Sequence, residues 1–164
     1  MILLGIDPGT RFSGYAVFSQ NNHALALLDY GFFALGAQSA LPMRILNFHD
    51  NFDQLIKKFG IDTLAIETPF LGKNAQNFLK LGYLRGVLYL LAQKNNIKIL
   101  EFSPREVKCA ITGSGAADKE QVAIMICRLL PHVEKKIRSD VSDALAVGLC
   151  GAWKVAHEQR FTRL

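Results

Sequence analysis

Cysteine is scarce in this chain, with three thiols, Cys109, Cys127 and Cys150, among 164 residues. An odd number with no Cys-x-x-Cys spacing argues against a disulfide framework and a zinc site, and predicts reduced thiols in the core. No apolar run approaches the roughly 18 residues of a membrane span, and the amino terminus reads as a strand without a basic leader. A cytoplasmic protein with no membrane contact is expected. The phosphate-cradling spacing Gly-x-x-x-x-Gly-Lys-Ser/Thr is missing, which removes the P-loop nucleotidases. There is no repeat and no low-complexity stretch. Half the residues are apolar, enough for one domain, 1–158, to bury its own core, with 159–164 expected as a frayed tail. Charge is only modestly unbalanced: +5 fits a polyanionic partner without requiring one.

What the sequence does contain is a series of acids placed where apolar runs stop. Met1-Ile-Leu-Leu-Gly-Ile-Asp7-Pro-Gly9 is too short for an ordinary helix and is closed by Pro-Gly, so it reads as a buried strand with Asp7 at its carboxyl end. Gly9 and Gly14 bracket a tight turn, and Tyr15 to Phe18 begin a second strand antiparallel to the first. Taken alone, Asp7 serves equally well as an Asx turn. Asp62-Thr-Leu-Ala-Ile-Glu67 repeats the pattern, however, and puts Glu67 at another strand end. Asp140 and Asp143 precede the apolar run from Ala144 to Val147 and, three apart, share one face of a helix's first turn. For that pair, helix capping by Asp140 and a dipole contribution from Asp143 is the simpler account. Four acids from three distant segments, all beside apolar sequence, point instead to a converging metal site.

The intervening segments supply a scaffold. His23 to Leu35 predicts a third strand completing an antiparallel meander. From Pro42 to Phe59 apolar residues recur at helical spacing, ending at Lys57-Lys58-Phe59-Gly60 with cations and a C-cap glycine. After Glu67, Thr68-Pro69-Phe70-Leu71-Gly72-Lys73-Asn74 sets an aromatic and a cation in one loop; Phe70 in isolation would be a core plug. Asn74 to Gln93 predicts a helix too apolar for one neighbour, with Gly82 and Gly86 offering a flat side to a second subunit and Leu84 and Leu88 expected on that face. Ile97 to Phe102 is a further strand, and Ser103-Pro104 starts a short helix. Lys108 and Lys119 flank the link Thr112-Gly113-Ser114-Gly115, whose N–H groups are candidates for a phosphate nest. Singly, each lysine is an ordinary solvated charge. Helices from Asp118 to Leu130 and from Asp140 to His157 complete the pattern, joined by a basic connector from Pro131 to Arg138.

Gly5-Ile-Asp7-Pro-Gly9, Ala65-Ile-Glu67, Lys73-Asn74-Ala, Leu79-Lys-Leu-Gly82, Arg85-Gly86, Arg105-Glu-Val-Lys108, Gly113-Ser-Gly115-Ala-Ala-Asp-Lys119 and Asp140-Val-Ser-Asp143-Ala-Leu-Ala stand in the order and spacing of a known family. The chain resembles the RuvC Holliday-junction resolvases over nearly its whole length. The resemblance implies an α/β, ribonuclease H-like fold: a five-stranded mixed sheet, three antiparallel strands then two parallel, flanked by helices. It implies that Asp7, Glu67, Asp140 and Asp143 are catalytic acids holding two Mg²⁺, or Mn²⁺, whose preference for hard oxygen ligands suits four carboxylates. It further implies that Phe70 stacks on a base, that Lys73, Asn74, Arg85, Lys108 and Lys119 lie at the DNA, and that a homodimer resolves four-way junctions with RuvA-RuvB as partners. The implied products carry 5′-phosphate and 3′-hydroxyl ends. A Yqgf-like nuclease of the same fold and a non-catalytic junction-binding protein are the alternatives; an actin-like ATPase would need two such domains.

Overall fold

Burial along the first strand decides the architecture. In β1 (Ile2–Asp7) Leu3 packs into one cluster of apolar side chains and Leu4 and Ile6 into another, and all three are fully buried. A strand buried on both faces requires a layer of helices on each side. The structure, a computed structural model, describes residues 1–21, 24–69, 75–134 and 136–161, with side chains to 158.

β2 (Phe12–Asn21) and β3 (Ala24–Ala34) continue from β1 as an antiparallel meander, while β4 (Thr63–Glu67) and β5 (Lys98–Phe102) join its other side in parallel. The order β3-β2-β1-β4-β5 is the three-antiparallel, two-parallel sheet expected. α1 (Leu41–Phe59) and α2 (Ala75–Lys94) cover one face, through Phe48, Phe52, Leu84, Leu88 and Leu91. α3 (Pro104–Thr112), α4 (Lys119–Leu129) and α5 (Ser139–Phe161) cover the other, through Val107, Ile111, Val122, Ile126 and Leu145. Local chemistry sets the helix ends. Gly60 closes α1 in the left-handed region at φ 62°, and Ser103 with Glu106 and Asp118 with Gln121 form capping boxes on α3 and α4. Among the described residues no helix is long and apolar enough to cross a membrane.

α5 lies unusually close to the sheet, and glycine is the reason. A Cβ on Gly5 would stand 2.6 Å from the Cα of Gly148, and one on Gly14 would stand 1.9 Å from the carbonyl oxygen of Asp140. Any larger residue would push the start of α5 away from β1 and β2.

Two expectations need correction. Leu84 and Leu88 face the sheet, 1% and 0% exposed, and belong to the core rather than to an outer face. α2 is apolar nearly all round, so its sequence does not distinguish its inner from its outer side. Of the three thiols only Cys150 is buried; Cys109 is exposed and Cys127 half-buried.

Candidate active site

Strand alternation brings the first two acids together. Side chains of one parity share a face, so Asp7 follows Leu3 and Gly5 onto the α5 side, and Glu67 follows Ala65 onto the same side. Because β1 and β4 are parallel, with Gly5 opposite Ala65 and Ile6 opposite Ile66, both acids emerge at the same end of neighbouring strands. The first turns of α5 carry Asp140 and Asp143, pressed against β2 through Gly14. A cleft of about 140 Å³ opens here, lined by Asp7, Glu67, Thr68 and Arg85 among others.

Four carboxylates in one corner repel each other. Burial, and then the charges of Asp143, Glu67 and Asp140, push the Asp7 carboxyl from 3.8 up to about 7. Burial and then Asp143 push Glu67 from 4.5 up to about 7, against the opposing pull of Lys119 and Lys108. Such a cluster is short of positive charge. Part of it comes from within the chain: Lys119 Nζ donates to Asp143 Oδ2 at 2.8 Å, a bond that raises the lysine's own pKa, and Arg138 Nη2 donates to Asp140 Oδ2 at 3.0 Å. With two carboxylates turned to these cations, no three His, Cys, Asp or Glu side chains among the described residues are gathered as a finished ion site. The donor set nonetheless suits a hard divalent ion, being all carboxylate oxygen, electrostatically coupled and partly desolvated.

Asp140 is not the cap that its position suggested. The N–H groups of Val141 and Ser142 donate to the carbonyl of Arg138, at 3.1 and 3.0 Å, so the helix begins earlier and Asp140 stands inside its first turn. Lys108 and Lys119 both act electrostatically on Glu67, which puts them beside the acids rather than on a remote surface. Most N–H groups of the link between them are already engaged. The N–H of Gly113 bonds to Cys109, that of Ser114 to Thr112 Oγ1, that of Ala116 to Ser114 Oγ and that of Ala117 to the Ser114 carbonyl.

Arg85 lies inside the fold. It is 5% exposed, and its guanidinium donates to the Glu67 carbonyl, to Glu101 and to Tyr89, tying α2 to the ends of β4 and β5. The sequence motif that marked it for DNA contact did not reveal this burial. Phe70, Lys73 and Asn74 lie outside the described residues. Arg138 is the site neighbour that sequence reading passed over as part of a basic connector. Its signal was an arginine two residues before an acid, with Phe12 following Asp-Pro-Gly.

The family model for the crossover junction endodeoxyribonuclease RuvC matches residues 3–151. A crossover junction endodeoxyribonuclease RuvC of Chloroherpeton thalassium is 42% identical over 156 residues, covering 95% of this chain and 84% of the relative. Among solved structures, Thermus thermophilus RuvC superposes with a TM-score of 0.84 at 26% identity, covering 96% of this chain and 97% of that one. The same Thermus protein in complex with a Holliday junction substrate gives 0.84 at 24% identity, with 96% of each chain covered.

Proposed function

The chain belongs to the RuvC family of crossover junction endodeoxyribonucleases and has its ribonuclease H-like fold, and from that premise we propose that it resolves four-way DNA junctions by paired, metal-dependent nicks. The observation that carries the reading is the convergence of Asp7, Glu67, Asp140 and Asp143 from three segments onto one end of the sheet, with Lys108 and Lys119 beside them. The matched span, 3–151, includes all four acids. Neither the Yqgf-like alternative nor a junction binder without catalysis is favoured.

Asp7, Glu67, Asp140 and Asp143 would hold the divalent ions, which we take to be two Mg²⁺ with Mn²⁺ as substitute. Ions bound there supply an activated water and positive charge for the leaving oxygen, giving 5′-phosphate and 3′-hydroxyl ends. The chain's own residues do the remaining work. β1 and β4 fix Asp7 and Glu67 on rigid strand ends, so little reorganisation is needed when the strand arrives. Lys108 and Lys119 bring cations to the rim of the cluster, where backbone phosphates of the cut strand would lie.

A two-fold dimer completes the reading. α2 leaves Leu79, Tyr83 and Leu90 exposed on one stripe together with Gly82 and Gly86, where an added Cβ would meet nothing among the described residues. Such a stripe fits a second copy of the same helix, and a closed two-fold pair gives one site to each strand to be cut. The cytoplasm is the proposed compartment, and the RuvA-RuvB branch-migration complex the proposed partner. The test is to incubate the purified protein with a mobile four-way junction, a linear duplex and a single strand in Mg²⁺. Paired nicks confined to the junction are expected, and none from Asp7→Asn. Equal cutting of the linear duplex, or an active Asp7→Asn variant, would overturn the reading.

A further inference from the structure

Arg138 is electrostatically misplaced. Its carbonyl accepts from Val141 and Ser142 and so opens α5, where the helix dipole favours an anion and disfavours a cation. The side chain is nevertheless held on three sides. Its guanidinium carbon lies 3.9 Å from the ring centroid of Phe12, at the start of β2, and 4.8 Å from that of Phe32 on β3. The two rings meet edge to face at 5.7 Å and form a corner for the cation. From that corner both Nε, at 3.2 Å, and Nη2, at 3.0 Å, donate to a single oxygen, Asp140 Oδ2. Among the described residues nothing donates to Oδ1 of the same carboxylate.

Resting on the functional reading above, we propose that Arg138 is a positioning residue for metal binding: the Phe12–Phe32 corner fixes its guanidinium, which anchors one oxygen of Asp140 and leaves the other aimed for a divalent ion. The main chain of Asp140 is already fixed by the close approach of Gly14, so the side chain's rotation is its remaining freedom. Arg138 removes that freedom from outside the ion's own ligand shell. Groups in such a position orient a ligand, and their loss typically weakens metal affinity by about 10- to 100-fold. The aromatic corner also fixes the arginine where it stands, so its charge supports Asp140 without taking up both oxygens. A lysine could not replace it, because one ammonium on a flexible stem lacks the planar fork that places two N–H groups on one oxygen.

Arg138→Lys is therefore the informative variant, since it keeps the charge and loses the fork. Mn²⁺ binding to the full chain without DNA, followed by electron paramagnetic resonance, should show half-saturation at about tenfold or more higher Mn²⁺ than wild type. Junction affinity in EDTA should stay within about twofold, because affinity for nucleic acid follows the cationic charge. Phe12→Leu keeps the arginine in the chain but removes one wall of the corner that fixes it, and should move Mn²⁺ half-saturation in the same direction. If Arg138→Lys binds Mn²⁺ like wild type, or if Arg138→Gln loses only junction affinity in EDTA, Arg138 is a phosphate contact and the proposal fails while the nuclease reading stands. A wild-type protein that neither binds Mn²⁺ nor cuts a junction would overturn both, and so the two failures are distinguishable.

Discussion

A carboxylate at the end of a buried strand is in conflict with its surroundings, and Asp7 shows the conflict most clearly. Its carboxyl is pushed from 3.8 up to about 7, so without a divalent ion the folded protein holds a proton there that the unfolded chain has already released. Where the folded state binds more protons, stability falls as pH rises. The loss begins above 3.8 and is complete once pH has passed about 7. That interval sets an upper bound of about 4 kcal/mol on the destabilisation at pH 8. Asp7→Asn should therefore abolish cleavage, retain junction binding, and raise the metal-free Tm at pH 8 by several degrees, with the gain vanishing below about pH 4. Thermal scans in EDTA at the two pH values check it, and an unchanged Tm at pH 8 would count against the electrostatic account. Arg85 makes a contrasting case. Arg85→Leu strips the Glu67 carbonyl of its donor and should cost about 1–3 kcal/mol. Cleavage should fall because the end of β4 loosens, and junction affinity in EDTA should barely change. Lost affinity with an unchanged Tm would instead put Arg85 at the DNA.

At the scale of elements, most of the fold was legible because period and punctuation agree. Short apolar runs, one of them closed by Pro-Gly, gave the strand ends that carry Asp7 and Glu67, Gly60 stopped α1 through a left-handed residue, and Ser103-Pro104 started α3. What was not legible is whatever depends on a partner distant in sequence. The inner and outer faces of α2 are separated only by the sheet, which takes Leu84 and Leu88 and leaves Leu79 and Leu90 outside. Arg85 carries a charge, and burial of a charge is visible only once Glu101 and the Glu67 carbonyl come to meet it. The start of α5 moved because the Arg138 carbonyl, not the Asp140 side chain, takes the first N–H groups. The exposed stripe makes its own prediction. Gly86→Leu adds a side chain where nothing among the described residues stands within 4 Å of the new Cβ. It also replaces the helix-weakening residue by one better by roughly 0.5–1 kcal/mol. The isolated subunit should be as stable as wild type or more so, while its dimer dissociation constant rises at least about tenfold, since side chains that hold two helices apart forfeit packing at the contact. Sedimentation across a concentration series reads both states, and undiminished dimerisation would move the interface off α2.

For the whole molecule, the position of α2 joins assembly to chemistry. β4 ends at Glu67 and α2 begins at Ala75, so one short connection separates a proposed metal-binding acid from the proposed two-fold face. In the proposed two-fold pair, two such sites would lie on either side of one axis and meet opposite strands of the junction together. If paired cutting belongs to the dimer, it should follow the number of intact dimers rather than the number of intact sites. Wild type and Asp7→Asn, unfolded and refolded together in equal amounts, should assort into roughly one quarter intact, one half mixed and one quarter inactive dimers. Because the Asn variant retains its DNA contacts, mixed dimers still bind but cut one strand only. A supercoiled plasmid bearing a cruciform distinguishes the outcomes, since one nick relaxes it and two paired nicks linearise it. Within a single binding event, linear product should drop to about one quarter of the wild-type yield, with nicked circles accounting for about one half of the bound plasmid. Linear product that falls only to about three quarters, the share of dimers with at least one intact subunit, or to about one half, the share of intact subunits acting as monomers, would mean that each subunit completes both cuts alone, and the two-fold pair would then have no part in resolution.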